Sequence, residues 1–120
     1  MMAKILVLEN DPGNANVIHL ELTDQAHDVK TIIDASLLEK TIDQFHPELI
    51  VMDILLNHCD GRILCAGLKR SVKTAHIPIL LITAMLESQI YALPILADKV
   101  MLKPFDYEVL ADNVNSLLSI

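Results

Sequence analysis

Four short stretches, far apart in the chain, hold side chains that suit phosphoryl chemistry. Glu9-Asn10-Asp11 offers acids and an amide, Asp53 a lone carboxylate, Thr83-Ala84 a hydroxyl, and Lys103-Pro104 a cation. A carboxylate can attack phosphorus and give an acyl phosphate. The oxygens of a transferring phosphoryl group need positive charge and hydrogen-bond donors around them, which an ammonium and a hydroxyl supply. Mg²⁺ takes oxygen ligands, keeps several waters, and uses one or two protein carboxylates; Glu9 and Asp53 are the candidates. Taken singly, each residue has a plainer role. Asp53 reads as a cap after a strand, Glu9 to Asp11 as an acidic helix start, Lys103 as a solvated surface lysine and Thr83 as a turn residue. Only convergence on one place would make them a site.

The sequence supplies elements that could bring them together. Ile5-Leu6-Val7-Leu8, Leu49-Ile50-Val51-Met52, Ile79-Leu80-Leu81-Ile82 and Val100-Met101-Leu102 are continuous apolar runs, with a weaker one over Val29 to Ile33. Such runs read as strands buried on both faces, the pattern of a parallel sheet covered by helices. Between them, helical spacing recurs: Ala15, Ile18 and Leu22; Ala35, Leu38, Ile42 and Phe45; Leu64, Leu68 and Val72; Leu110, Val114, Leu117 and Leu118. Asp11 before Pro12 suits a helix start, and Asp106 suits another. A fourth helix, over about Glu87 to Leu96, contains Pro94 and should be shortened or kinked by it.

The order is strand-helix repeated five times, an α/β chain with right-handed crossovers. Ligands in such open sheets bind beyond the carboxyl ends of the strands. Glu9-Asn10-Asp11, Asp53, Thr83-Ala84 and Lys103-Pro104 each follow a strand run, so the expected topology carries all of them to one edge.

Composition narrows the class. The chain has 120 residues, about one domain, so 1–120 is read as a single unit. A net charge of −7 argues against direct binding to nucleic acid and leaves room for a metal cation and for partners with basic patches. The longest nearly apolar stretch, Ile77 to Leu86, is too short to span a bilayer, and no secretory start is visible. A cytoplasmic setting is expected, with Cys59 and Cys65 as free thiols. Cys59 near Asp53 invites a redox role, but a plain loop thiol is the commoner case. The five histidines are scattered without ligand spacing.

The stretches Lys4-Ile5-Leu6-Val7-Leu8-Glu9-Asn10-Asp11-Pro12, Pro47-Glu48-Leu49-Ile50-Val51-Met52-Asp53, Asp60-Gly61, Ile82-Thr83-Ala84 and Lys103-Pro104-Phe105 resemble, in that order, the receiver domain of two-component response regulators. The likeness covers the whole chain and is to the single-domain, chemotaxis-regulator-like kind. It implies a flavodoxin-like (βα)5 three-layer sandwich with a five-stranded parallel sheet ordered 2-1-3-4-5. It implies a phosphoacceptor, Asp53, charged by a histidine kinase or phosphotransfer protein. Mg²⁺ would be held by Glu9, Asn10, Asp53 and the backbone carbonyl of Leu55. Thr83, with Ala84, and Lys103 would bind the phosphoryl group and switch, and the peptide before Pro104 would be cis. The output would pass to a downstream protein through the helix 4–strand 5–helix 5 face. Such a domain is a switch that reacts with small phosphodonors and hydrolyses its own phosphoryl group, not a turnover enzyme.

The chain departs from the family in four places. Asn10 stands where aspartate is usual, which removes one negative charge and implies weaker Mg²⁺ binding. Val100 stands where a Tyr or Phe ring is usual, so the ring's part in the output switch is missing; Tyr107 follows just past Lys103-Pro104-Phe105. The segment between Thr83 and Lys103 is short and lacks the usual Gly-Ala. Asn57 replaces a common proline beside His58 and Cys59. These departures give a competing reading, a pseudo-receiver that binds partners without phosphorylation; retention of Asp53, Thr83 and Lys103 weighs against it. A phosphatase of the haloacid dehalogenase type uses similar side chains but needs an Asp-x-Asp pair where this chain has Glu9-Asn10-Asp11.

Overall fold

The computed structural model describes residues 2–118; Met1, Ser119 and Ile120, the ends of the expected 1–120 unit, lie outside the described residues. Five strands form one parallel sheet: β1 (Lys4–Leu8), β2 (Asp28–Ile32), β3 (Leu49–Asp53), β4 (Ile79–Thr83) and β5 (Lys99–Leu102), in the order β2-β1-β3-β4-β5. This is the expected 2-1-3-4-5 order. Every residue of the central strands β3 and β4 is buried, as is all of β1 after Lys4. That explains why those runs are apolar throughout rather than alternating. The edge strands are less buried: β2 alternates from Asp28 to Thr31, and Asp28 and Lys99 are exposed.

The two-residue period divides the core into two layers. Leu6, Leu8, Ile50, Met52 and Ile54 face Leu38 and Ile42 of α2 (Leu38–Phe45) and Cys65 and Leu68 of α3 (Gly61–Arg70). Ile5, Val7, Leu49 and Val51 face Ile18 and Leu22 of α1 (Pro12–Asp24) and Leu110 and Val114 of α5 (Tyr107–Leu118). Asp11 caps α1 by accepting from the Gly13 N–H at 3.0 Å, with Pro12 in the first turn. Asp106 accepts from the Glu108 N–H at 3.1 Å at the start of α5.

Four element boundaries differ from those read in the sequence, the fourth helix in the direction expected from Pro94. Helix α3 stops at Arg70 because Ser71 turns to extended backbone, so Val72 leaves the predicted apolar face and is 96% exposed. The second helical region opens as a 3-10 turn over Ala35–Leu37, and only Leu38 onward is α-helical. The fourth helix, α4, is a single turn, Glu87–Ile90. Pro94 lacks a donor and biases Leu93 away from helical backbone, so the helix ends well before Leu96. Strand β2 starts and ends one residue earlier than the run Val29 to Ile33.

After β3 the chain makes a two-residue antiparallel ladder, Leu55–Leu56 against Cys59–Asp60, that periodicity did not announce. Asn57 and His58 form its turn, with His58 at φ 64°. The chain then enters α3 at Gly61, where a β-carbon would fall 2.2 Å from the Asp53 carbonyl oxygen and 2.8 Å from the Ile54 α-carbon. Both neighbours are backbone and cannot step aside. Gly61→Ala should therefore push α3 off the end of β3 and cost about 1–3 kcal/mol or more. Urea unfolding checks this; an unchanged midpoint would show that the contact is soft.

Candidate functional site

Strand register brings the four loops together. Leu8 pairs with Met52, Asp53 with Ile82, and Thr83 with Leu102, so β1, β3, β4 and β5 end side by side. Two further backbone bonds extend this edge: the Glu9 N–H donates to the Ile32 carbonyl at 3.1 Å, and the Lys103 N–H to the Thr83 carbonyl at 2.7 Å. Glu9, Asp53, Thr83 and Lys103 are the first polar side chains beyond the apolar runs, and they lie at one rim.

Lys103 closes the set. Its Nζ donates to Glu9 Oε1 and to Asp53 Oδ2, each at 2.7 Å. The peptide that follows, Lys103–Pro104, is cis, as expected. The Leu55 N–H donates to the other carboxylate oxygen of Asp53, Oδ1, at 3.0 Å. Glu9 is fully buried and Asp53 is 5% exposed. Thr83 is also fully buried, and its Oγ1 accepts the Met85 N–H at 3.0 Å, which fixes the turn carrying Ala84. Asn10 sits at the rim with its Nδ2 donating to Asn57 Oδ1 at 3.1 Å. Two of the positions where the chain departs from the family pattern thus touch each other. Val100 is half-buried and packs against the core layer that contains Ile90.

The electrostatics follow from burying two carboxylates with one ammonium. Burial raises the Glu9 pKa, and neighbouring Asp53 adds to the rise; Lys103 opposes both, and the result is a group pushed up to about 7. Burial alone would lower the Lys103 pKa, but its bonds to Asp53 and Glu9 outweigh it and hold the ammonium above its ordinary value. The folded protein thus binds the Glu9 proton more tightly than the unfolded chain does. Between the ordinary value of 4.5 and about 7, stability should fall as pH rises, and outside that window this contribution is flat. The loss is on the order of 1–3 kcal/mol. Urea midpoints in metal-free buffer at about pH 5 and about pH 8 should show it, and Glu9→Gln should remove it.

The residues fit a hard cation. Glu9 Oε2 is buried and, alone among the described buried side-chain atoms, has no hydrogen-bond partner. An orphaned carboxylate oxygen in this position calls for a cation or an ordered water. The oxygen donors at the rim are two carboxylates, Glu9 and Asp53, with Asn10 beside them. This oxygen-only set matches Mg²⁺ rather than a softer metal.

Sequence reasoning passed over two participants. Arg62 is 7% exposed, and its guanidinium bonds Asp60 and the carbonyls of Gln89 and Ile90. The available signal was an arginine in the first turn of a helix, where the dipole disfavours a cation unless a partner holds it. Gly61 stands in the sequence only as part of the Asp60-Gly61 motif, and its missing side chain is what allows α3 to start against Asp53.

A doubly wound parallel sheet thus brings two acids, a hydroxyl and a lysine to one carboxyl edge, a set suited to phosphoryl chemistry. Family comparison agrees: residues 5–115 match the response regulator receiver domain, and the chain belongs to that family of two-component signal transduction. It is 32% identical over 119 residues to the DNA-binding dual master transcriptional regulator RpaA of Synechocystis sp., covering 98% of this chain and 49% of RpaA. It is 31% identical to the response regulator PleD of Caulobacter vibrioides, covering 98% of this chain and 26% of PleD. The chain thus spans about half or less of the length of these relatives.

Among solved structures, the BeF3-activated receiver domain of Klebsiella pneumoniae RstA superposes with a TM-score of 0.86 at 28% identity, over 98% of this chain and 99% of that one. The signal receiver domain of a histidine kinase from Syntrophus aciditrophicus gives 0.90 at 28%, over 98% and 90%. Receiver domains are signalling domains rather than turnover enzymes. As a family they bind Mg²⁺ at the phosphorylation site and meet histidine kinases and downstream effectors. Among the described residues, no helix is long and apolar enough to cross a membrane.

Proposed function

We propose that this chain, as one receiver unit, is the phosphoacceptor switch of a two-component phosphorelay, taking a phosphoryl group from a histidine kinase or phosphotransfer protein onto Asp53. The observation that carries the reading is the Lys103 ammonium, 2.7 Å from both Glu9 and Asp53. An Asp53 carboxylate oxygen attacks phosphorus, the phosphorus–nitrogen bond to the donor imidazole breaks, and the imidazole leaves with a proton from solvent. Lys103 then moves from a carboxylate to a phosphoryl oxygen. Thr83 releases the Met85 N–H and donates its hydroxyl hydrogen to a second oxygen, with the turn at Ala84 following. Mg²⁺, when bound by Glu9, Asn10, Asp53 and the Leu55 carbonyl, would neutralise charge on the phosphoryl oxygens.

Incubation with acetyl phosphate across a Mg²⁺ series, read by intact mass, tests the reading directly. A Mg²⁺-dependent gain of one phosphoryl group is expected. No gain at any Mg²⁺ level would favour a module that works without phosphorylation.

The site has two carboxylates and an amide where the family usually has three carboxylates, so Mg²⁺ should bind weakly. Asn10→Asp restores a charge next to a dication and should tighten Mg²⁺ binding by about tenfold or more. Calorimetric titration decides; equal affinity in the two proteins would remove Asn10 from the ligand set. The downstream protein would dock on the face formed by α4, β5 and α5. That face carries exposed Leu86, Tyr91, Leu96, Leu102 and Tyr107, and Val100 offers it no ring to gate.

A further inference from the structure

Helix α4 does not support itself. It is one turn long, has Leu86 at its N-cap with no side-chain bond, and has no basic residue in its last turn. A single turn is unfavourable alone, because fixing its backbone yields almost no hydrogen bonds. Its last carbonyls are held instead from α3: Arg62 Nη1 donates to Gln89 O at 3.0 Å and to Ile90 O at 2.9 Å. The other end of the same guanidinium is clamped by Asp60, with Nη2 to Oδ2 at 2.7 Å and Nε to Oδ1 at 3.1 Å. Asp60 also accepts the Arg62 N–H at 2.8 Å.

This clamp is tied to the backbone of the candidate phosphoacceptor. The Gly61 N–H donates to the Ile54 carbonyl at 2.8 Å, and the Gly61 α-carbon lies against the Asp53 carbonyl with no space for a methyl group. The segment Asp60-Gly61-Arg62 must therefore follow any movement of the backbone at Asp53 and Ile54. At its far end the guanidinium has two backbone acceptors in α4. Ile90, whose carbonyl is one of the two acceptors, is 1% exposed and packs in the same core layer as half-buried Val100. The ring usual at position 100 is absent, and the Arg62 side chain spans from the Asp60-Gly61 segment to the α4 carbonyls.

We propose that Arg62 is the positioning residue that couples the state of Asp53 to α4, through Gly61 at one end and the Gln89 and Ile90 carbonyls at the other. The proposal rests on the phosphoacceptor reading of Asp53 given above. It assigns the output function to a guanidinium clamp and not to an aromatic gate.

The test is amide and arginine Nε NMR of the full chain, with Mg²⁺, before and after addition of beryllofluoride. In the native protein the Arg62 Nε–H signal and the amides of Glu87 to Ala92 should shift together with that of Asp53. In Arg62→Met, which keeps the apolar stem and loses every donor, the Asp53 and Thr83 amides should still respond. The α4 response should fall by about fivefold or more. Arg62→Lys, with one ammonium in place of a fork, should fall between the two. A native Arg62 Nε signal that stays fixed while α4 shifts overturns the proposal, and needs no variant to fold. So does an α4 response in Arg62→Met equal to that of the native protein. Failure of the native protein to respond anywhere would overturn the phosphoacceptor reading and this inference with it; a response at Asp53 with an indifferent Arg62 overturns this inference alone.

Discussion

Lys103→Met should slow phosphorylation of Asp53 by acetyl phosphate by between about tenfold and a hundredfold, because a preorganised cation facing developing charge contributes on that scale. In the same variant, without metal, stability near neutral pH should drop by about 2–4 kcal/mol. The reason is specific. Lys103 is the only cation bonded to Glu9 and Asp53 among the described residues, at 2.7 Å to each, and both acids are buried. Removing it leaves two facing carboxylates in a dry place, and one must take up a proton. Glu9 already holds its proton up to about 7, so the stability loss should shrink as pH falls toward 5. Saturating Mg²⁺ should also recover part of it. Urea unfolding with and without Mg²⁺, beside single-turnover phosphorylation, measures both effects. Native stability with native rate would mean that the lysine contact is incidental.

Asp53→Asn should abolish phosphoryl uptake altogether while leaving the protein folded. Asparagine keeps an oxygen for the Leu55 N–H, now 3.0 Å from Asp53 Oδ1, and Lys103 retains its bond to Glu9. The variant loses the nucleophile and one of two like charges, but also the Lys103–Asp53 ion pair, so the two effects oppose and metal-free stability should stay within about 1–2 kcal/mol of native. Intact mass after exposure to acetyl phosphate reads the first effect and urea unfolding the second. Uptake of a phosphoryl group in Asp53→Asn at the native rate would place the acceptor elsewhere. A collapse of stability would make Asp53 a structural residue first.

The core strands were legible because their environment leaves one option. A strand covered on both faces must be apolar at every position, so Leu49 to Met52 and Ile79 to Ile82 announced themselves without alternation. Once the strands were parallel, the rim followed: residues just after the runs had to share an edge, and Glu9, Asp53, Thr83 and Lys103 do. What stayed hidden depends on loops and on contacts across long sequence distances. Nothing in the spacing of Asn10 and Asn57 says that their amides meet, since that depends on the turn at His58. The reach from Arg62 to Gln89 and Ile90 crosses between two helices that the sequence marks separately. Val72 looked like a helical core residue because four-residue spacing carries no information about where a helix stops. Pro94 did mark the weak fourth helix, but not that a single turn would be left.

One measurement goes furthest toward the claim that four loops surround a single phosphoryl group: an amide NMR titration of the native protein with beryllofluoride in the presence of Mg²⁺. Signals from Glu9, Asp53 to Leu55, Thr83 to Met85 and Lys103 should move together along one saturation curve, and should stay in place when Mg²⁺ is withheld. Shifts confined to one loop, or the same shifts without Mg²⁺, would contradict a shared phosphoryl site.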